Sequence, residues 1–245
     1  MSALPATLAT ASASKLDWYL TRSTGAVALL LLSASVALGV VDVQRLGTPG
    51  WPRFVLDSLH RNVSLLAVVF LVLHILTAVL DSFAPISPTA AFVPFLSSYR
   101  PLWLGLGAVA FDLMLAVILT SVLRQRIGYA AWRATHWLAY ACWPIALLHT
   151  LGTGSDVKSS WLLAVAVACL ALVLAAVLAR VLSGSPVASA RARVGALGTV
   201  AAFSLGLLLW LPSGPLGSEW ARRAGTPAAL LGHKRASGRT SGGGQ

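Results

Sequence analysis

The stretch HRNVSLLAVVFLVLH, residues 60–74, decides the fold: a histidine stands at each end of a run that is almost wholly apolar. As helix it rises about 1.5 Å per residue, and continued to Leu80 it reaches the ~20 residues that cross a hydrocarbon core. An imidazole in such a segment is costly unless something binds it, so His60 and His74 are candidate functional residues. A second apolar stretch repeats the arrangement with His136 and His149. Four such histidines in two sets ask for one common explanation.

Working outward, the whole chain has the composition of a membrane protein. Of its 245 residues 57% are hydrophobic and 10% charged, with a mean hydropathy of +0.80, whereas a soluble domain carries about a quarter charged residues. Apolar runs near ~20 residues fall at 24–42, 61–80, 102–123, 135–151, 161–182 and 194–212. A backbone in lipid must satisfy its own hydrogen bonds, and nothing here alternates like a barrel strand, so all six read as helices. The expected fold is all-α, a polytopic six-helix transmembrane bundle. Residues 1–20 lack the apolar core of a cleavable signal peptide, which makes 1–23 an extracytoplasmic N-terminal segment. Residues 24–182 form the main transmembrane domain, 183–212 a connection with the sixth helix, and 213–245 a Gly-rich basic tail expected to be disordered. Cys142 and Cys169 lie within predicted helices and read as packed thiols without a disulfide.

The net charge of +11 does not point to nucleic acid, because the basic residues stand in ones and threes at helix ends and in the tail. Connections one, three and five hold Arg45, Arg53, Arg61, Arg124, Arg126, Arg133, Arg180, Arg191 and Arg193; short of the tail, the other face holds Lys15, Arg22, Arg100 and Lys158. The positive-inside rule then puts those three connections in the cytoplasm and both termini outside. The tail's Arg222, Arg223, Lys234, Arg235 and Arg239 run against that rule. Arginine far outnumbers lysine and alanine is abundant, a composition that suggests a GC-rich bacterial genome and hence a multi-pass protein of the bacterial inner membrane, with lipid as its first partner.

The histidines carry the chemistry. An imidazole nitrogen is a strong axial ligand for haem iron, and one histidine from each of two helices makes a six-coordinate iron that changes oxidation state without substrate access. The second and fourth predicted helices run in the same direction, so His60 is level with His136 and His74 with His149, the two levels about 20 Å apart. Fourteen residues return to within about 40° of the starting face, placing His60, Ser64, Ala67, Leu71 and His74 on one stripe whose small residues leave room for a macrocycle. Thirteen residues miss by about 140° in one straight helix, so His136 and His149 need a distortion between them, and Pro144 is the visible candidate. Haem propionates need basic partners near the membrane edge, for which Arg61 and Arg133 stand beside one pair, with Arg22, Arg100 and Lys158 on the other side. Asp112 reads equally as a proton relay and as a buried structural carboxyl; Trp137 and Trp143 are candidate haem contacts. His233, in the tail, is left out of the site. The competing reading is a transporter or permease that binds a transition metal through the same histidines, and a purely structural subunit is the third.

The paired spacing, with the strings Arg22-Ser23-Thr24-Gly25, His60-Arg61-Asn62-Val63-Ser64 and Trp132-Arg133-Ala134-Thr135-His136-Trp137, resembles the ferric reductase-like transmembrane domain family. That family includes ferric reductases, the membrane part of NADPH oxidases and the haem-binding subunit of the methionine sulfoxide reductase system. The resemblance covers roughly residues 20–182. It implies two b-type haems, one held by His60 with His136 on the cytoplasmic side and one by His74 with His149 on the outer side. It also implies a transmembrane electron conduit serving as the electron-transfer subunit of an oxidoreductase. The sequence departs from the large oxidases in having no Gly-rich dinucleotide fingerprint after a strand, so the flavin is expected on a separate redox partner protein.

Overall fold

The computed structural model describes residues 4–42, 53–81, 84, 86–154, 156–182 and 190–231. Along the chain these form α1 (Leu4–Asp42), α2 (Arg53–Leu80), a 3-10 turn (Pro88–Ala91), α3 (Pro101–Val122), α4 (Arg124–His136), α5 (Leu138–Thr153), α6 (Ser160–Leu182), α7 (Ala190–Ser213) and the short α8 (Trp220–Arg223). No strand occurs among the described residues. Arg45 in the first connection, and His233, Lys234, Arg235 and Arg239 in the tail, lie outside the described residues.

Five of these helices are long and apolar enough to cross a membrane: Leu16–Val41, Phe54–Leu80, Pro101–Val122, Ser160–Leu182 and Arg193–Ser213. The protein is therefore a multi-pass, all-helical membrane protein. The fourth predicted crossing, 135–151, is not one continuous helix. It is divided at Trp137, and α5 on its own has 16 residues, a rise of about 24 Å against a hydrocarbon core of about 30 Å. The first helix begins upstream of the predicted position 24. Pro5 falls in its first turn, where a missing N–H is no loss, and the Ala-rich run that follows favours helix; residues 4–23, expected as a separate segment, are thus part of α1.

The chain divides into two compact units. The first contains α1, α2, α6 and most of α7. Within it α1 and α2 lie antiparallel, tied by the hydroxyls of Thr24 and Thr77 at 3.5 Å and of Ser35 and Ser64 at 2.7 Å. Lipid supplies no hydrophobic drive between helices, so small polar side chains at a close interface hold them together. Ser64, on the stripe that joins His60 to His74, thus also lies at the contact with α1. The other side of α1 packs on α6, where Ser33 and Cys169 are completely buried and Arg180 Nη1 donates to the carbonyl of Val40 at 3.5 Å.

The second unit contains α3, α4, α5 and α8. Here α5 runs antiparallel to α3: the buried Cys142 thiol donates to the Ala110 carbonyl at 3.2 Å, and His149 meets the Trp103 carbonyl at 2.8 Å. Seven residues along α5 answer seven along α3. The same register continues into α4, where Trp132 Nε1 donates to Ser121 Oγ at 3.3 Å. The last part of α4 and all of α5 therefore follow α3 along nearly its whole length, with a single break at Trp137, where Tyr140 N bonds to the Trp137 carbonyl in an i to i+3 step. Pro144 sits inside α5 without ending it. Near its start α4 is bent at Gly128, with φ 81° and ψ 163°.

Beyond α7 the structure holds order where the sequence suggested none. Residues 213–231 include α8, and this stretch fastens to the start of α3: Arg100 N bonds to the Gly225 carbonyl at 3.0 Å, and Trp220 packs on Trp103 with ring centroids 5.2 Å apart. Trp220 supplies the apolar anchor that the polar, Gly-rich average composition conceals.

Candidate functional site

Two of the four histidines stand on α2, facing α1. His74 Nδ1 lies 2.9 Å from the carbonyl of Thr21, and His60 Nδ1 lies 3.0 Å from the carbonyl of Ser35. In the second unit His149 Nδ1 lies 2.8 Å from the carbonyl of Trp103, with Thr153 Oγ1 also at 3.3 Å. A carbonyl oxygen only accepts, so in each case Nδ1 must be the donor. The neutral imidazole then carries its lone pair on Nε2, the atom that binds a metal, and an outer-shell bond of this kind fixes both tautomer and ring direction. All three rings are half-buried. The levels of His60 and His74 are fourteen residues apart, about 21 Å of helix.

His136 is held differently. It closes α4 one residue before the break, and its ring stacks on Trp132 at 5.0 Å. One residue, Trp137, separates it from α5, the helix that carries His149.

Among the basic candidates, the Arg22 guanidinium lies over the Trp18 ring at 3.4 Å from its centroid, and its Nη1 donates to the Trp18 carbonyl at 3.3 Å. It is the residue after Thr21, whose carbonyl takes His74. Arg61, the residue after His60, and Arg133 are exposed. Arg100 is not a surface anchor. Only 3% exposed, it donates through Nη1 to the carbonyls of Gly152 and Thr153, at 3.1 and 2.9 Å, and through Nε to Thr226 Oγ1 at 2.9 Å. Burial lowers its pKa from the ordinary arginine value, with Tyr99 acting in the opposite direction. Its role is to cap the orphan carbonyls at the C-terminus of α5, the helix that carries His149. Of the remaining candidates, Asp112 is half-buried on α3, Trp143 is buried and Trp137 is exposed.

The donor set fits a haem. In each of three imidazoles Nδ1 donates to a backbone carbonyl and the lone pair falls on Nε2, the donor chemistry that haem iron takes. A model of the ferric reductase like transmembrane component family matches residues 24–147, just over half of the 245 residues. The chain belongs to this family. The ferric reductase-like match takes in His60, His74 and His136, and ends two residues before His149. Comparison with curated proteins and with solved structures gives no match. A metal permease would gather several ligands at one point; among the described residues no three of His, Cys, Asp or Glu form such a group.

What sequence reasoning missed is the set of residues that hold the rings. Gly25 belongs to one of the strings that carried the family resemblance, yet it had no role, and the carbonyls of Thr21, Ser35 and Trp103 are invisible to any reading of side chains. A signal did exist: Gly25 and Gly39 are fourteen residues apart, as are His60 and His74.

Proposed function

We propose that this chain is the membrane electron carrier of a ferric reductase-like system, in which His60 with His136 and His74 with His149, paired as their spacing suggests, hold two b-type haems. The observation that carries the reading is the common state of His60, His74 and His149, each with Nδ1 donating to a backbone carbonyl, which puts the imidazole lone pair on Nε2. Bound haem would supply one-electron redox stations at two depths. The chain supplies the axial ligands, the low-dielectric surround and the spacing. Arg22, Arg61 and Arg133 are the proposed partners for the haem carboxylates, each adjacent in sequence or within one helical turn of a ligand or of the carbonyl that holds one. Haem held by histidines in this way would pass electrons on without binding an acceptor at the iron.

The sixth crossing belongs to this proposal. The end of α4 with α5 follows α3 in one antiparallel register, and together they are long enough to span. Electrons would be exchanged with a flavin-bearing partner protein, as the family resemblance implies, in what the Arg- and Ala-rich composition suggests is a bacterial inner membrane.

The test is an optical spectrum of the purified protein, oxidised and reduced, with a pyridine haemochrome assay. Two b-type haems per chain are expected, with one lost in His74→Ala or His149→Ala. A colourless protein from cells well supplied with haem overturns the reading.

A further inference from the structure

The three carbonyls that hold histidines share a second feature. Four residues after each stands a glycine that faces the same ring: Gly25 after Thr21, Gly39 after Ser35 and Gly107 after Trp103. The geometry explains the spacing. A helical carbonyl points toward the residue four positions on, so a ring that reaches it from a neighbouring helix must pass over that residue's Cα. The oxygen's two lone pairs allow it to serve both its own helix and the ring. A Cβ on Gly107 would lie 2.5 Å from His149 Cε1, one on Gly25 2.8 Å from His74 Cε1, and one on Gly39 3.3 Å from His60 Cε1. Each seat is therefore a carbonyl with a gap beside it.

The fourth seat is different. Stepping thirteen residues along α3, the spacing of His136 and His149, leads from Trp103 and Gly107 to Ala116 and Thr120. The glycine position is now threonine, and Thr120 Oγ1 donates to the Ala116 carbonyl at 2.7 Å. A hydroxyl occupies the acceptor and a branched side chain fills the gap.

We infer that Gly25, Gly39 and Gly107 are positioning residues that set the tautomer and direction of His74, His60 and His149, and that Thr120 closes the corresponding seat on α3. Its bearing on haem rests on the function proposed above; the seats themselves do not require haem. The consequence is that three rings, His60, His74 and His149, are fixed by backbone seats before any metal arrives.

The experiment is nitrogen-15 spectroscopy of histidine-labelled protein in micelles, prepared without haem and then with it. In the haem-free protein His60, His74 and His149 are expected as the Nδ1–H tautomer. Gly107→Ala shifts the nitrogen resonances of His149 away from that tautomer, Gly25→Ala does the same to His74, and Gly39→Ala gives the smallest change, in the order of the three clearances. Gly198→Ala and Gly206→Ala, on α7 with nothing within 4 Å of an added Cβ, leave every histidine unchanged. In the haem-loaded protein, the low-spin resonance spectrum and midpoint potential shift in Gly107→Ala and stay at wild-type values in Gly206→Ala. An unchanged His149 tautomer in folded Gly107→Ala, or a change as large in the α7 variants, overturns the inference. If Gly107→Ala does not fold, the milder Gly39→Ala decides by the His60 resonances. A wild type that takes up no haem would overturn the proposed function, while the haem-free resonances would still decide the seats.

Discussion

At the scale of single residues, Arg100 sets two terms against each other. Its backbone has φ 44°, a left-handed conformation that costs an L-residue about 1–2 kcal/mol. Its buried guanidinium, however, satisfies two carbonyls at the end of α5 and the hydroxyl of Thr226, and hydrogen bonds from a charged group contribute about 1.5–3 kcal/mol each. The side chain wins, which accounts for an arginine where the backbone alone would choose glycine. Arg100→Ala is expected to lose about 3 kcal/mol of stability, because the Thr153 carbonyl keeps no replacement donor of equal strength. Arg100→Gly should lose roughly 1 kcal/mol less, since glycine relieves the backbone. Denaturation in mixed micelles measures both; equal losses would show that the left-handed backbone carries no strain.

At the scale of elements, the informative feature is the broken run from α4 to α5. Its apolar second half and its histidines are legible in the sequence because hydropathy and intramembrane polarity are properties of single positions. The break is not. Trp137 keeps helical angles, φ −62° and ψ −20°, so neither glycine nor proline marks it, while Pro144, the visible breaker, is absorbed within α5. The seats escaped for a similar reason: a glycine in a lipid helix reads as generic close packing until the partner ring across the interface is known. Gly128 tests the element directly. At φ 81° and ψ 163° it occupies a region open to little but glycine, and nothing stands within 4 Å of an added Cβ. Gly128→Ala is therefore expected to cost about 1–3 kcal/mol through backbone strain alone. Gly198→Ala, equally uncrowded but on α7, should be neutral or gain up to about 1 kcal/mol. Similar thermal midpoints for the two variants would mean that the bend at Gly128 relaxes without cost.

At the scale of the molecule, the number of crossings decides where the ends lie. Five candidate spans are long enough by themselves, and five would leave the two ends on opposite faces. The antiparallel register from Trp132 through Cys142 to His149 against Ser121, Ala110 and Trp103 argues that α4 and α5 jointly make one more. With six, both ends share a face, and the basic residues Arg124, Arg126 and Arg133 fall on the other, where the positive-inside rule wants them. The order in α8 and its neighbours adds a constraint of its own: Arg100 at the start of α3 is bonded to Thr226 and Gly225, so the stretch after α7 must emerge on the face where α3 begins. The six-crossing arrangement proposed above would return the chain after α7 to the face where α3 begins, in keeping with that bond. Reporter fusions active on only one side of the membrane, placed before α1, after Arg126 and after Leu231, are expected to report the first and third positions on the outer face and the second in the cytoplasm. Fusions before α1 and after Leu231 that report opposite faces would remove the sixth crossing, and with it the second level of ligands contributed by α5.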